Sequence, residues 1–400
     1  MFRSYLTLVL VAFLMIAISC EEESDPRVNE ETFTKIYDNN LFNAAYSPID
    51  MKQTPDGGYL ILASRSLEDS NFAGIYMMKV DKQGAFEKDM EVDAAYVNPV
   101  ASLMEYNGEY YFFCMEEVTL QAQMAKADAM LENVSITPVQ DNITYPTAAS
   151  IESNSFILLS YNHIDKLSTI SLIGPTGGTL ASKGFDIGVG DDVEEPLINH
   201  FITGGKKLPF SVGRVPGGLY YFNGFFNYTF SLVFTDLNAD DPTGVVQGQQ
   251  DDGGFSAVTP IASTKFAAAR FNFGDNFLLP NVILPTNSIT SSVDYPGNTL
   301  LELVPNANIR IIRTVINSTN TLVYGSDSKS KQIALLFYDE ATGALAGSHY
   351  LGFSNPFEVA SLIQTTDEGL AVCGTTYLAG RFPRICLFKI SKTDLAEMIQ

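Results

Sequence analysis

The chain has no tryptophan, only three histidines and only four cysteines among its 400 residues. Basic residues are also scarce, since 24 Lys and Arg stand against 46 Asp and Glu, a formal net charge of −22. Such a charge is repelled by nucleic acids and by anionic membrane surfaces, so the sequence predicts no nucleic-acid partner. Charged residues make up 18% of the chain and hydrophobic residues 46%, which indicates a globular protein rather than a disordered one.

Long apolar runs are missing except near the start, where residues 5–18 form one. This run is shorter than the roughly 20 residues that a membrane-crossing helix needs. It follows Arg3 and ends at Ser19 and Cys20, which gives it the length and small-residue ending of a secretory signal peptide. An uncleaved N-terminal anchor, or a plain signal peptide with an incidental cysteine, is the alternative.

The residues around the end of this run, Ala-Ile-Ser-Cys at 17–20, resemble a bacterial lipobox. The resemblance implies that residues 1–19 are removed and that Cys20 carries the lipid (palmitate), leaving an acidic tether over 20–31 and one domain over 32–400. The acidic string directly after Cys20 resembles the surface-export signal of Bacteroidetes lipoproteins. That likeness implies a lipid anchor in the outer membrane and exposure on the cell surface, with the periplasmic face as the alternative.

A repeat carries the fold prediction. Residues 54–81 and 365–391 align without a gap from Asp56 and Asp367 to Ala63 and Gly374, and each reads as a tight turn, a strand, a polar loop and a second strand. Weaker copies lie between them, about seven in all at roughly fifty residues each. Prolines are expected at the start of the first strand in successive copies, namely Pro48, Pro99, Pro146 and Pro196.

Periods of 40–50 residues with three or four short strands are typical of β-propellers. The sequence therefore predicts an all-β fold with a single β-propeller of seven blades. Residues 33–37 are predicted to close the ring by adding a fourth strand to the last blade. A pair of β-sandwiches is the alternative. The wording Thr-x-Asp-Gly-Gly-Tyr resembles propeller repeats of secreted and lipid-anchored Bacteroidetes proteins, and this resemblance implies architecture but no catalytic residue.

Cysteine and histidine give little chemistry. Cys373 and Cys386 are placed by the repeat on the two strands of one hairpin, where a cross-strand disulfide and two reduced core thiols are both open. Cys114 lies in an apolar run and is predicted to be buried. His163, His200 and His349 are predicted in a loop, at the end of a first strand and in a fourth strand, without metal-ligand spacing.

Other motifs are equally weak as sites. The acidic clusters at 191–195 and 251–252 are predicted to be solvated loops, and residues 236–244 to be a turn rather than a calcium loop. No Gly-x-Ser-x-Gly nucleophile motif occurs. An aromatic stretch places Phe225, Phe226 and Tyr228 near a loop, where they are either packed between blades or form a surface patch for a partner or a sugar.

These observations favour a non-enzymatic binding or scaffold module whose ligand the sequence does not name, with an envelope protein or a glycan as partner. No cofactor and no metal site is predicted. The alternative is a propeller enzyme acting on extracellular polysaccharide, for which acidic side chains are plentiful. The missing tryptophan counts against that enzyme, because tryptophan commonly stacks on sugars. It also counts against quinone-dependent propeller dehydrogenases, which resemble one another through tryptophan-bearing docking motifs.

Overall fold

The computed structural model describes residues 31–38, 45–377 and 382–399. Strands dominate it. The first fifteen are β1 Phe33–Tyr37, β2 Tyr46–Gln53, β3 Tyr59–Arg65, β4 Gly74–Val80, β5 Phe86–Glu91, β6 Tyr96–Val97, β7 Met104–Tyr106, β8 Glu109–Glu116, β9 Ala122–Ala127, β10 Val134–Pro138, β11 Pro146–Glu152, β12 Ser155–Asn162, β13 Leu167–Ile173, β14 Thr179–Asp186 and β15 Ser211–Arg214.

The second half of the molecule continues the same pattern. Its strands are β16 Tyr220–Phe226, β17 Thr229–Thr235, β18 Gly244–Gln247, β19 Gly253–Pro260, β20 Lys265–Asn272, β21 Asp275–Ile283, β22 Ile289–Ser291, β23 Asn298–Thr299, β24 Ile309–Ile316, β25 Thr319–Asp327, β26 Ile333–Asp339, β27 Leu345–Leu351, β28 Phe357–Gln364, β29 Leu370–Tyr377 and β30 Pro383–Ile390. The described helices are α1 Asp191–Phe201, α2 Lys392–Glu397 and a short 3₁₀ turn, Ser292–Asp294.

The strands form successive antiparallel meanders. Four-stranded sheets are built from β11–β14, from β19–β21 with β23, from β24–β27, and from β28–β30 with β1. A five-stranded sheet contains β15–β18, to which β22 adds in parallel. The nine-stranded sheet holds two meanders, β2–β5 and β7–β10, which the short β6 joins.

Meanders of this kind arranged around a common centre are the architecture of a β-propeller. The first strands of neighbouring meanders contact one another, as β2 does β28 and β28 does β24. Apolar side chains pack between adjacent sheets, so Met78 of the first meander lies in one cluster with Ala371 and Leu387 of the last. The all-β propeller fold predicted from the repeat is therefore confirmed.

The turn after the first strand explains the wording of the repeat. In the first copy Asp56 accepts hydrogen bonds from the Thr54 hydroxyl at 2.6 Å and from the Gly58 amide at 3.0 Å. The Lys79 ammonium, 1% exposed, donates to the same carboxylate at 2.8 Å. A Cβ at Gly58 would lie 2.4 Å from the Lys79 Nζ, so glycine leaves the space that this lysine occupies. We call the side of the molecule that carries these turns the turn face.

Three residue placements predicted from the repeat are wrong. Pro196 lies inside α1 rather than at the start of a first strand, and His200 is in the last turn of that helix. Pro99 lies in an irregular segment between β6 and β7, whereas Pro48 and Pro146 are in strands as predicted. The sequence between residues 187 and 210 is thus an insertion between two meanders, which the spacing of the prolines concealed.

Candidate functional site

A cavity of about 580 Å³ lies where the first strands meet. Its wall takes residues from five of the meanders, including Pro48 on β2, Pro146 on β11, Ser256 on β19 and Ala360 on β28, and from the segments that precede the second and fourth meanders. Small side chains and prolines line much of this wall, and they leave room at the centre. Sites for small molecules usually have volumes of about 300–1,000 Å³, so the cavity is large enough for one.

The insertion around α1 covers one end of the cavity, on the side opposite the turn face. The Phe201 carbonyl accepts a hydrogen bond from the Asn98 side chain at 3.0 Å, and the Thr203 amide donates to the Asn71 carbonyl at 2.7 Å. Phe201 also packs on Tyr145, with 4.9 Å between the ring centroids. These contacts fasten the insertion, whose ends lie in the third and fourth meanders, to the first and second meanders. We call residues 191–210 the roof.

His200 belongs to the roof and faces the cavity. Burial lowers its pKa to about 3, and the nearby charge of Lys207 acts in the same direction. Its Nδ1 accepts a hydrogen bond from the Leu208 amide at 2.9 Å, which places the proton of the neutral ring on Nε2. Phe210 packs edge-on against the imidazole. His200 is therefore a neutral, structural residue that fixes the chain after α1.

Two lysines follow in the roof and have different partners. Lys206 forms ion pairs with Asp251 at 2.7 Å and with Asp252 at 3.4 Å. Lys207 instead donates to two backbone carbonyls at the end of α1, those of His200 at 2.5 Å and Ile202 at 3.0 Å. A cation at this position suits the negative end of the helix dipole. Burial lowers the pKa of Lys207.

Arg310, on β24, also lines the cavity. Its Nε donates to the Ala360 carbonyl at 2.7 Å, and no carboxylate of the described residues forms an ion pair with it. Burial lowers the pKa of Arg310, while the charges of Asp50 and Asp327 act in the other direction. The guanidinium remains charged, because arginine does not lose its proton in proteins.

Three carboxylates lie near Arg310 or share its cavity. Asp327, at the end of β25, accepts a hydrogen bond from the Val359 amide at 2.6 Å, yet burial raises its pKa to about 7. Glu358 accepts from the Tyr377 hydroxyl at 3.0 Å. Asp50 accepts from the Leu103 amide at 2.7 Å and from the Ser361 hydroxyl. At neutral pH Asp327 is thus partly protonated. All three carboxylates accept hydrogen bonds from groups of the protein.

The residues predicted as sites do not come together. Cys20 lies outside the described residues. Cys373 is paired across the sheet with Leu387, and Cys386 with Gly374. The two cysteines are one position out of register, so their side chains lie on opposite faces of the sheet, and both are buried free thiols. The cross-strand disulfide is therefore wrong, and the alternative of two reduced core thiols describes them.

The aromatic patch is not formed either. Phe225 is fully buried and packs edge-on against Phe230. Phe226 packs against the core between β14 and β16, next to Phe185, and only Tyr228 is substantially exposed, at 46%. Alternation along the strand sends these rings to different faces, which the density of aromatic letters did not reveal.

Two of the histidines lie where the sequence predicts them, and one acidic cluster does not. His163 lies in a loop and His349 in the fourth strand β27, as expected. The cluster at 191–195 is the first turn and a half of α1 rather than a loop. Within the described part of the chain, no group of three or more His, Cys, Asp or Glu side chains is placed to hold a metal ion. None of its helices has the length and apolar character needed to span a bilayer.

The cavity charges were missed by the sequence. Lys207 lies 103 residues before Arg310 and 120 residues before Asp327, and no motif contains them. Only the arrangement of the strands brings them to one cavity. The available signal was weak: Arg310 is one of two arginines in an otherwise largely apolar first strand.

No protein-family model matches the sequence, and no curated protein is similar to it. Solved structures resemble it in fold. The β-propeller domain of the Trilobed protease from Pyrococcus furiosus has 8% identity and a TM-score of 0.49 over 92% of this chain and 99% of that one. Core factor from S. cerevisiae has 8% identity and a TM-score of 0.52, covering 90% of this chain and 60% of that chain. A protein of unknown function from Bacteroides caccae has 11% identity and a TM-score of 0.38, covering 84% and 91%.

Proposed function

We propose that this chain is a lipid-anchored, extracytoplasmic binding protein that holds a small polar ligand in the central cavity of a seven-bladed β-propeller. The observation that carries the proposal is the roofed cavity of about 580 Å³, whose wall combines small side chains with a few charged ones. Ligand pockets commonly have this composition, in which a few polar groups fix the ligand's orientation.

The blade count follows from dividing the nine-stranded sheet at β6, which gives seven meanders in all. Closure of the ring rests on β1, whose residues pair antiparallel with β30 from Phe33 opposite Lys389 to Tyr37 opposite Ile385. This pairing makes β1 the outer strand of the last blade. Velcro-like closure by the two chain ends leaves no long unpaired edge at that position.

The anchor is proposed from the lipobox-like residues ending at Cys20, with residues 1–19 as signal peptide, 20–31 as tether and 32–400 as propeller. Supporting geometry comes from the start of β1. The Thr32 hydroxyl accepts a hydrogen bond from the Ser391 amide at 3.0 Å, beside the turn face. A tether that enters at the turn face leaves the roof on the side away from an outer membrane carrying the lipid.

A partner in the envelope, protein or glycan, would then meet the roof side first. Exposure on the cell surface is the orientation that the acidic string after Cys20 favours, and the periplasmic orientation is the alternative. Protease treatment of intact cells separates the two, since only a surface-exposed propeller is cut. Labelling with a palmitate analogue tests the anchor: the wild type takes up the label, and Cys20→Ala does not.

Binding in the cavity is tested by denaturing the full chain purified from its own cells and identifying released small molecules by mass spectrometry. Ala101, an exposed residue on the cavity wall, is replaced by tryptophan to fill the space. Ala94→Trp, in an exposed turn away from the cavity, is the matched control. We expect a compound that the wild type and the control retain and that Ala101→Trp loses. Equal retention by all three would contradict binding in the cavity.

A second candidate is an enzyme acting on extracellular polysaccharide. The observation that favours it is the presence of Asp327, with its pKa raised to about 7 by burial, in the same cavity as Glu358. Two carboxyl groups in different protonation states are the usual pair for glycoside hydrolysis. Loss of polysaccharide turnover in both Asp327→Asn and Glu358→Gln, with the fold retained, would favour this enzyme over a binding protein.

A further inference from the structure

The charge of the cavity is opposite to that of the protein. Acidic residues outnumber basic ones by 46 to 24 in the whole chain. The cavity wall instead contains four Lys or Arg side chains and two Asp or Glu side chains. A basic concavity in an acidic surface concentrates the field of its cations and attracts anions selectively. The ligand expected in such a place carries negative charge.

The four cations differ in whether the protein already neutralises them. Arg65 lies 3.5 Å from Glu91, and Lys206 is paired with Asp251 and Asp252. Arg310 and Lys207, in contrast, donate only to backbone carbonyls within the described structure. Withdrawing a charge from water without a counter-charge is unfavourable, so these two cations are the ones that an anion would stabilise most.

The nearest carboxylates compensate the charge of Arg310 only in part, because the charges of Asp50 and Asp327 act on it but neither forms an ion pair with it in the described structure. Asp50 is engaged by the Leu103 amide and the Ser361 hydroxyl, and Asp327 by the Val359 amide. Arg310 uses one of its five N–H groups on Ala360, which leaves the four on its terminal nitrogens. Two parallel N–H groups of a guanidinium match the two oxygens of a carboxylate or phosphate group.

One further donor is available beside them. Ser256, on β19, is 7% exposed, lines the cavity, and its Oγ has no hydrogen-bond partner in the described structure. A buried hydroxyl without a partner is unfavourable and is often completed by a ligand or an ordered water. Its position on the wall gives a ligand a neutral contact in addition to the two cations.

We propose that the central cavity binds a small solute through a carboxylate or phosphate group, which pairs with Arg310 and Lys207. This inference rests on the proposed binding function and adds the chemical class of the ligand. Arg310 supplies the paired donors, Lys207 a second positive charge from the roof, and Ser256 a hydroxyl.

The test uses the full chain and two probes, inorganic phosphate and acetate, at pH 6 and constant ionic strength. Binding is measured as broadening of the phosphate ³¹P line and of the acetate methyl ¹H line. Arg310→Met and Lys207→Met are compared with two matched controls. Arg313→Met removes the same charge from the same strand, at a residue that does not line the cavity, and Lys126→Met removes a half-buried lysine on β9 that does not line it either.

We expect at least one probe to broaden with the wild type and with both controls. Arg310→Met should weaken that binding about tenfold, as expected for the loss of a charge-assisted pair, and Lys207→Met severalfold. The probe that broadens distinguishes a phosphate-bearing from a carboxylate-bearing ligand. If Arg310→Met does not fold, Lys207→Met and Arg310→Lys, which keeps the charge but loses the paired donors, give the same comparison.

Two results would overturn the inference: no broadening of either probe by the wild type, or equal broadening by the wild type, Arg310→Met and Lys207→Met. The proposed binding function is judged separately, by the compound that Ala101→Trp loses. A neutral compound retained by the wild type, together with no broadening, means that the cavity binds a ligand but not an anion.

Discussion

Buried lysines on the turn face and the cations of the cavity have different surroundings. Lys79 is 1% exposed and lies 2.8 Å from Asp56 and 3.1 Å from Glu87. Lys389 is 4% exposed and lies 2.9 Å from Asp367. Among the described residues, Arg310 has a backbone carbonyl as its hydrogen-bond acceptor and no ion-pair partner. The chain supplies a carboxylate to each cation that holds the scaffold together, and also to Arg65 and Lys206 of the cavity. It supplies none to Arg310 and Lys207 within the described structure. An unneutralised cation is therefore the better mark of a binding site in this fold.

The two turns also differ from each other in one informative way. Gly57 has a φ of +86°, and in the last copy Glu368 takes its place with a φ of +62°. The following glycine is kept in both copies, because a Cβ at Gly369 would lie 2.2 Å from the Lys389 Nζ, as one at Gly58 would meet Lys79. The second glycine of the repeat thus makes room for the lysine, and the first is replaceable at the expense of backbone strain.

The largest effect is expected at the last copy of this turn. Asp367→Ala removes the carboxylate that pairs with the buried Lys389 in the described part of the chain, so we expect the unfolding free energy to fall by about 3–5 kcal/mol. Denaturant titration measures the loss. The double variant Asp367→Ala with Lys389→Met should recover most of it, because it no longer buries an unpaired charge. A single-variant loss below 1 kcal/mol would contradict the assigned role of this pair.

The stability of the protein is also expected to depend on pH through Asp327 in the cavity. The folded chain keeps the proton of Asp327 up to about pH 7, whereas the unfolded chain loses it near pH 4. The folded state therefore binds more protons between these values, and stability falls as pH rises through this window. Arg310 on β24, Glu358 on β28 and Tyr377 on β29 are the charged or titratable groups around it.

The variant Asp327→Asn, which mimics the protonated form, should remove that dependence. We expect its stability relative to the wild type to improve by about 2–4 kcal/mol between pH 4 and pH 7.5, at about 1.4 kcal/mol per unit of pKa difference. Unfolding midpoints in denaturant across this range measure it. An unchanged difference between the two proteins at both pH values would contradict the raised pKa of Asp327.

The contrast between the two regions explains how far the sequence could be interpreted. The first and last copies of the repeat could be predicted because Asp56 and Asp367 each lie in the same hairpin as the glycine that follows. Within a hairpin, residues close in sequence are also close in the structure. The roof was missed because α1 carries Pro196 at the spacing of the strand-entering prolines. The cysteine pairing failed by a single residue of register, which is enough to reverse the face of a strand.

The residues of the cavity could not be predicted from local sequence patterns. Lys207 and Arg310 belong to no recognisable motif, and their relation depends on the arrangement of the strands. Charge counting along the chain gives the opposite expectation, since the chain is acidic. The repeated turns of the sequence therefore predict the fold, whereas the residues of the cavity can be identified only in the folded structure.

A smaller effect is expected at the first copy of the turn. Asp56→Ala leaves Lys79 with Glu87, so we expect a loss of about 1–2 kcal/mol, clearly less than at Asp367. Partial burial raises the pKa of Asp56, but hydrogen bonds from Lys79, Thr54 and Gly58 outweigh it and bring the pKa to about 2. The stabilising contribution of this carboxylate is therefore present above pH 4 and is lost as pH falls toward 2.

Measuring both variants in one denaturant series tests the ranking. The Asp56→Ala deficit should shrink between pH 4 and pH 2, because the wild type loses the same interaction on protonation. Adding Glu87→Ala to Asp56→Ala should bring the loss close to that of Asp367→Ala. A first-copy loss that equals the last-copy loss without this addition would mean that Glu87 does not neutralise Lys79.

The smallest effect on stability is expected at Arg310, where a structural cation and a ligand-binding cation make opposite predictions. Replacing an unneutralised cation by an apolar side chain of similar length removes a desolvation penalty and one hydrogen bond, so Arg310→Met should change unfolding free energy by about 1 kcal/mol or less. Arg313, on the same strand, is bidentate with Glu340 at 2.7 and 2.8 Å, and Arg313→Met leaves the buried Glu340 without this partner, so it should lose about 2–3 kcal/mol. Denaturant titration of the two variants decides between the roles. If Arg310→Met is instead the more damaging by several kcal/mol, Arg310 supports the fold in the manner of Lys389, and the difference between scaffold and cavity cations disappears.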